Sequence, residues 1–366
     1  DDRPDLPEKN GVWDLGSCEA SEMAKLAETT YRDVNIALAN QFAVFAEGAN
    51  IDIAKVIEHF QNWAKFIPDE DLVVHKVDFV QLSQTQNWGV DVCKINEAWK
   101  VSRGKGVKVA VLDTGITPHI DLEGQWNQAF NCTSDPDYTD GSSHGSHVAG
   151  IIAATDNDQG VVGIAPESFV IPVKVLTNNG SGSYDFIAKG LRTAIDAGAD
   201  IINMSLGANV KPPQMIHDLI KEAVSRGIII VAAAGNDAKE VNWPARYEEV
   251  IAVAALDEKG SMAHFSSRGQ EVKTVAPGVQ IFSTVPTNQY GMMSGTSQAS
   301  PFVAGVCALI LSHSRNTPGA KPIIDYVDML RALDTLCDNT PYLQTGDAKN
   351  WGFGIPKFAN IDWTSI

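Results

Sequence analysis

Val107-Lys108-Val109-Ala110-Val111-Leu112-Asp113-Thr114-Gly115 is the stretch that decides the fold. Apolar, largely β-branched residues fill Val107 to Leu112, which predicts a short strand. A carboxylate closes it, and Thr114-Gly115 turns the chain at once. The same texture repeats outward from there. Apolar runs at Phe169 to Val175, Ile201 to Met204, Ile228 to Ala233 and Val250 to Ala255 predict further strands. Stretches with helical periodicity, Tyr184 to Ala197 and Gln214 to Ser225, lie between them. This alternation predicts βαβ units, hence an α/β fold with a mostly parallel central sheet flanked by helices. In such sheets sites assemble beyond the carboxyl ends of the strands. Asp113 stands at one of them.

The chain's 366 residues suffice for one large domain and a small extension. No apolar run approaches the roughly 18 residues that a bilayer span needs, so a membrane enzyme is not expected. Acidic residues outnumber basic ones, 45 to 28, and the net charge of −17 repels phosphate backbones. Nucleic acid is therefore excluded as a partner, while calcium sites and a saline habitat both fit the acidity. Cys18, Cys93, Cys132, Cys307 and Cys337 show no zinc-type spacing. Their odd number leaves at least one thiol unpaired, and Cys307, in an apolar run, reads as a buried thiol. One surface disulfide stays open. No charged and apolar leader precedes Asp1, so a signal peptide is absent from the chain as it stands.

Upstream of the sheet pattern the chain reads differently. Met23, Leu26, Thr30, Val34, Ala37, Leu38, Phe42 and Phe45 recur at helical steps, and Ile53, Val56, Ile57, Phe60 and Ala64 form a second stripe. Residues 1–66 are therefore expected to be a helical extension built on a hairpin over 17–66. A linker over 67–81, with a strand from Leu72 to Phe79, leads into the large domain over 82–366.

Three segments carry chemistry-bearing residues. Asp113, held by rigid backbone, is able to orient an imidazole, although alone it also fits a turn or helix cap. His144 lies in Gly141-Ser142-Ser143-His144-Gly145-Ser146-His147-Val148-Ala149-Gly150, where small residues allow a helix to start with close backbone approach. The two histidines three apart lack an acidic or thiol partner at metal-ligand spacing, and His147 reads as a core histidine. Ser297, in Ser294-Gly295-Thr296-Ser297-Gln298-Ala299-Ser300-Pro301, precedes the apolar run Phe302 to Leu311, a buried helix. A serine there meets unsatisfied amides and the positive end of the helix dipole. By itself it equally fits an ordinary N-cap.

Together, Asp113-Thr114-Gly115, His144-Gly145-Ser146-His147-Val148-Ala149-Gly150 and Gly295-Thr296-Ser297-Gln298-Ala299-Ser300-Pro301 resemble the subtilase family of serine peptidases, over residues 82–366. The resemblance implies a serine endopeptidase working through an acyl-enzyme, secreted to the extracellular space, with an intracellular location left open. Ser297 is then the nucleophile, His144 the general base and acid, and Asp113 the group that sets the imidazole tautomer. Asn236, in Ala232-Ala233-Ala234-Gly235-Asn236, matches the oxyanion-hole amide. Gly180, Ser181 and Gly182 resemble the edge that pairs with an extended peptide, and Ser205, Leu206 and Gly207 the opposite wall. Extended polypeptides with a broad, mainly apolar residue before the cut are the implied substrates.

Thr155-Asp156-Asn157-Asp158-Gln159-Gly160-Val161 resembles the family's calcium loop, with structural Ca2+ held by Thr155, Asn157, Gln159 and Val161 together with Asp121 and Gln84. Gln298 stands where many relatives carry methionine, which implies better survival in peroxide. The family also implies a zymogen with an inhibitory propeptide, and Leu72 to Phe79 looks like its tail. Residues 17–66 instead resemble the central helical segment of nucleotide-sugar dehydrogenases, in Glu22-Met23-Ala24-Lys25-Leu26-Ala27-Glu28 and Arg32-Asp33-Val34-Asn35-Ile36-Ala37-Leu38-Ala39-Asn40. No GxGxxG follows a strand, and Thr29 replaces the asparagine partner of Lys25, so dehydrogenase activity is not expected. The segment fits an inhibitory pro-segment, an oligomerisation element or a fusion. Two other classes remain compatible with the chain: a transpeptidase or macrocyclase on the same fold, and a non-catalytic interaction protein using the N-terminal helices.

Overall fold

The computed structural model describes residues 84–338, 350–364 and 366. The helical hairpin read over 17–66 and the strand read over 72–79 lie outside the described residues. Two short helices open the described chain, α1 (Trp88–Val92) and α2 (Ile95–Trp99). There follow β1 (Lys108–Asp113), β2 (Phe130–Asn131), α3 (His144–Ala153), β3 (Phe169–Lys174), α4 (Tyr184–Asp196), β4 (Ile201–Met204) and α5 (Gln214–Ser225). The second half holds β5 (Ile229–Ala233), β6 (Ile251–Leu256), β7 (Val272–Pro277), β8 (Ile281–Val285), β9 (Gln289–Met293) and α6 (Thr296–Asn316). After it come α7 (Tyr326–Leu336), β10 (Cys337–Asp338) and β11 (Ile355–Pro356).

Seven strands form one sheet in the order β2-β3-β1-β4-β5-β6-β7, and every neighbouring pair is parallel. All residues of β4, β5 and β6 are buried, and apart from Asn203 in β4 they are apolar. A parallel strand is covered on both faces, so a polar side chain there needs a buried partner. The chain builds outward from β1 to one side and then crosses to β4 on the other. The loops at the carboxyl ends of β1 and β4 therefore diverge and leave a crevice between them.

The predicted parallel sheet and flanking helices are present. The strand bounds move by a residue: β1 includes Asp113 itself, so the carboxylate is anchored by ladder pairing opposite Lys174. α4 starts at Ser183, whose hydroxyl accepts the Phe186 N–H, as an N-cap does. The antiparallel β8–β9 hairpin, β7 and α7 were not read from the sequence. β9, Gln289-Tyr290-Gly291-Met292-Met293, has no buried residue and none of the β-branched continuity that marks the central strands. Cys93, Cys132, Cys307 and Cys337 are all free thiols, so the surface disulfide left open above is not formed among the described residues. Burial raises the thiol of Cys307 far above its ordinary value. No described helix is long and apolar enough to cross a membrane.

α3 packs against β8 at Gly150. A Cβ there would lie 2.3 Å from Thr284 Oγ1 and 2.4 Å from Ser283 Oγ. Both hydroxyls already donate to α3 carbonyls, those of Ser146 and His147, at 2.8 Å each. Alanine gains about 1 kcal/mol over glycine in helix propensity, whereas overpacking costs about 1–3 kcal/mol and two buried hydrogen bonds are disturbed as well. Gly150→Ala is thus expected to lower stability, read as an earlier midpoint in urea unfolding. An unchanged or later midpoint would show that the helix–hairpin contact yields.

Candidate active site

The site is built at the carboxyl ends of β1 and β4 and the amino ends of α3 and α6. Asp113, fully buried, closes β1. Its Oδ1 accepts the Thr114 N–H and the Nδ1–H of His144, both at 2.7 Å. Its Oδ2 is buried with no hydrogen-bond partner among the described residues. His144 is the first residue of α3, and that helix starts so close to the Asp113 turn that a Cβ on Gly145 would sit 2.2 Å from the Gly115 carbonyl oxygen. Only a glycine allows that approach. The small residues around His144 have this physical meaning.

Asp140 sets the approach. Its Oδ1 accepts from the Thr114 hydroxyl and the N–H groups of Ser142 and Ser143, and its Oδ2 from the Ser146 N–H. The Thr114 hydroxyl in turn accepts the Gly145 N–H at 2.9 Å. One buried carboxylate thus clamps the start of α3 to the residue after Asp113. For the His144 imidazole, burial is the largest influence and pushes its pKa down. The charge of Asp113, its hydrogen bond and the charge of Asp140 together outweigh burial, and the net shift is upward. His147 has no such partners. Burial holds its pKa down at about 4, and its Nε2–H points at the carbonyls of Ile281 and Gly291. It is a core histidine, as read from the sequence.

Ser297 is the second residue of α6. Pro301 lies one turn further on and has no N–H, so the Ser297 carbonyl loses its helical donor. The Ser205 hydroxyl replaces it at 2.8 Å. That hydroxyl accepts from Asn203 Nδ2, and Asn203 Oδ1 accepts from the Ser300 hydroxyl. A buried polar chain between β4 and α6 therefore fixes the nucleophile's backbone. The Ser297 hydroxyl donates to the Ser205 carbonyl at 3.2 Å. Unliganded sites often hold catalytic hydrogen bonds in a relaxed form, so this bond does not by itself exclude a role for the hydroxyl.

Asn236 follows β5. Its Oδ1 accepts from the Thr296 N–H at 2.9 Å and the Thr296 hydroxyl at 3.0 Å. With the oxygen so engaged, the amide orientation is set and Nδ2 turns toward Gly295 (a Cβ there would be 3.4 Å away). The Ser297 N–H, in the first turn of α6, has no intrahelical acceptor. These two donors offer a seat for a developing oxyanion.

Gly180, Ser181 and Gly182 line one side of a trough of about 850 Å³, and Ser205, Leu206 and Gly207 line another, with His144 in the same wall set. Leu176, Ile187, Ile216 and Trp243 make much of its surface apolar. The substrate residues read from the sequence are therefore brought together with the base.

The residues read as a calcium loop also converge. Gln84 Nε2 reaches the carbonyls of Thr155 (3.0 Å) and Val161 (3.3 Å). Asn157 Nδ2 donates to Asp121 Oδ1 at 3.1 Å, and the fully buried Asp121 also accepts the Val161 N–H. Gln159 joins through its N–H, which Asn157 Oδ1 accepts. The donor set is oxygen-rich with a single carboxylate, which suits a hard cation. No cluster of three or more His, Cys, Asp or Glu side chains fit for a metal occurs among the described residues. Gln298 is buried, yet its amide touches the Met293 thioether at 3.9 Å, so an oxidisable sulfur remains near the nucleophile.

Asp140, Asn203, Ser300 and Thr296 escaped the sequence reading. The pairing of Ser297 with Pro301, four residues on, was the available signal for a carbonyl in need of an outside donor.

The model of the subtilase family matches residues 104–335. That of the UDP-glucose/GDP-mannose dehydrogenase family, central domain, matches residues 19–69, outside most of the described chain. Subtilisin E of Bacillus subtilis is 40% identical over 310 residues, which is 83% of this chain and 79% of that one. A thermostable alkaline protease of Halalkalibacterium halodurans is 46% identical over 235 residues, and the match spans 64% of each chain. An intracellular serine protease of Paenibacillus polymyxa is 42% identical over 254 residues, 65% of this chain and 78% of its own.

An imidazole acts as base only when neutral, and that of His144 is held above its ordinary value of 6.5. Reactivity of Ser297 should therefore be lost as pH falls through a midpoint above 6.5. The rate of Ser297 labelling by a fluorophosphonate, followed against pH, measures that midpoint. A midpoint at or below 6.5 would contradict the dominance of Asp113 and Asp140 over burial.

Proposed function

The chain belongs to the subtilase family of serine proteases, and from that premise we propose that it cuts internal peptide bonds of extended polypeptides through an acyl-enzyme on Ser297. The observation that carries the reading is the Asp113–His144 hydrogen bond at 2.7 Å beside a helix-borne serine and a pre-aimed Asn236 amide. A peptide lies along the trough with its backbone beside Gly180 to Gly182 and its side chains against apolar walls. The residue before the cut is broadly chosen and mainly apolar.

The Ser297 hydroxyl turns from the Ser205 carbonyl to His144 Nε2, gives up its proton there and attacks the scissile carbonyl carbon. The carbonyl oxygen, now negative, takes hydrogen bonds from Asn236 Nδ2 and the Ser297 N–H. His144 passes its proton to the leaving amine, and the first product departs. Water then repeats the sequence on the ester, with the proton moving through the same imidazole, and Ser297 is restored. Asp113 accepts from Nδ1–H throughout, so Nε2 is the basic nitrogen.

Hydrolysis of a quenched fluorescent casein peptide tests this. Ser297→Ala should abolish cleavage. Asn236→Ala should keep KM nearly unchanged and lower kcat by about 100- to 1,000-fold, the loss typical of a missing oxyanion donor in a subtilisin. Cleavage that persists in Ser297→Ala would remove Ser297 as nucleophile.

We further propose structural Ca2+ in the loop of Thr155, Asn157, Gln159 and Val161, with Asp121 and Gln84. A bound cation would replace the amide-to-oxygen bonds and join the loop to the start of the domain. Added calcium should raise Tm and chelation should lower it, with the dependence lost in Asp121→Asn. The same Tm with calcium and with chelator would overturn the site.

A further inference from the structure

Among the described residues, the large side chains that are fully buried include one ammonium, that of Lys174. It stands at the carboxyl end of β3, directly opposite Asp113 in the sheet. Its ammonium donates to the carbonyl of Thr114 at 2.5 Å, to that of Thr139 at 3.2 Å and to Asn178 Oδ1 at 2.8 Å. Asp135 Oδ2 lies 3.2 Å away and supplies the counter-charge.

Each of these contacts leads to the site. The Thr114 carbonyl belongs to the Thr114–Gly115 peptide, in the turn that follows Asp113. The Thr139 carbonyl belongs to the peptide that precedes Asp140, the clamp of α3. Asn178 Oδ1 also accepts the Gly141 N–H at 3.0 Å, and Asn178 N–H donates to Asp135 at 2.8 Å. From Asn178 the chain runs straight into Gly180 to Gly182. One ammonium therefore holds the turn after Asp113, the turn before His144 and the root of the substrate edge.

Burying an ammonium costs several kcal/mol even when it is paired, and an apolar side chain of similar volume is often as stable. Stability alone does not call for a lysine here. What an ammonium offers that an apolar group lacks is three directed donors, which here meet two backbone carbonyls and the Asn178 side-chain oxygen. We propose that Lys174 is a positioning residue for the Asp113–His144 pair, acting through the carbonyls of Thr114 and Thr139 rather than through its ion pair with Asp135. The inference rests on the peptidase reading above.

Three variants separate positioning from stability. Asp135→Asn keeps the ammonium and its carbonyl contacts, so kcat should stay within about twofold while Tm falls. The double variant Lys174→Met with Asp135→Asn buries no unpaired charge and should return Tm toward that of the parent. Its kcat should nevertheless fall by at least about tenfold, since small misplacements of a catalytic pair cost up to about 100-fold. The rate of Ser297 labelling by a small fluorophosphonate, which makes no use of the substrate edge, should fall by the same factor. A double variant with parental kcat and labelling rate would overturn the proposal. If the double variant does not fold, Asp135→Asn decides: a tenfold loss of kcat there would assign the effect to the ion pair and overturn it too. The parent and Ser297→Ala serve as controls, because an inactive parent defeats the peptidase reading, whereas an active parent with an equally active double variant defeats only the role of Lys174.

Discussion

The structure turns on a carboxylate kept away from water. Asp113 has no exposed surface, and one of its oxygens has no hydrogen-bond partner among the described residues. Such a group is costly to bury, and the cost is met only where a cation can form beside it. In the proposed mechanism that cation is the imidazolium of His144, formed when Ser297 gives up its proton. In water the same pair would gain little from each other, because solvent screens both charges. The dry floor of the sheet makes their attraction count, and it demands that the imidazole be held without slack. Asp140, Thr114 and the glycine-tight start of α3 meet that demand.

The second requirement is a fixed serine on a helix that has little freedom of its own. α6 is buried from Thr296 to His313 apart from Ser297, whose partial exposure admits a substrate. A helix so enclosed cannot shift without disturbing β4 to β7. Proline at position 301 opens one gap in its hydrogen-bond ladder, and Ser205 fills it from outside. The helix is thereby tied to the strand that lines the substrate trough. Hydrogen bonds thus join Ser297 to Ser205 in the trough wall, and Thr296 beside it to Asn236.

The parts of this arrangement legible in the sequence are those written in contiguous residues. The strand ending in Asp113, the small residues around His144 and the serine before an apolar run each have a local signature, and their joint order carried the family resemblance. Asn236 was legible only with that resemblance in hand. Lys174 was not legible, because a lysine near the end of an apolar strand reads as reaching solvent until the strands are placed in order and its neighbours prove to be carbonyls. Asn203 and Ser300 were hidden for the same reason: their partners lie 97 positions apart in the chain. The β8–β9 hairpin was missed because its exposed second strand lacks the burial pattern on which strand prediction relies.

The position of α6 along the chain has an effect during synthesis. A ribosome delivers α3 and all seven strands of the central sheet before any of Thr296–Asn316 emerges, and domains generally fold as units rather than strand by strand. Until that helix arrives, β4, β5, β6 and β7 lack the apolar cover it gives them, and the nascent polypeptide has no Ser297. The segment that completes the core is the same one that carries that hydroxyl. On the peptidase reading, a growing chain therefore acquires its proposed nucleophile only together with a closed interior.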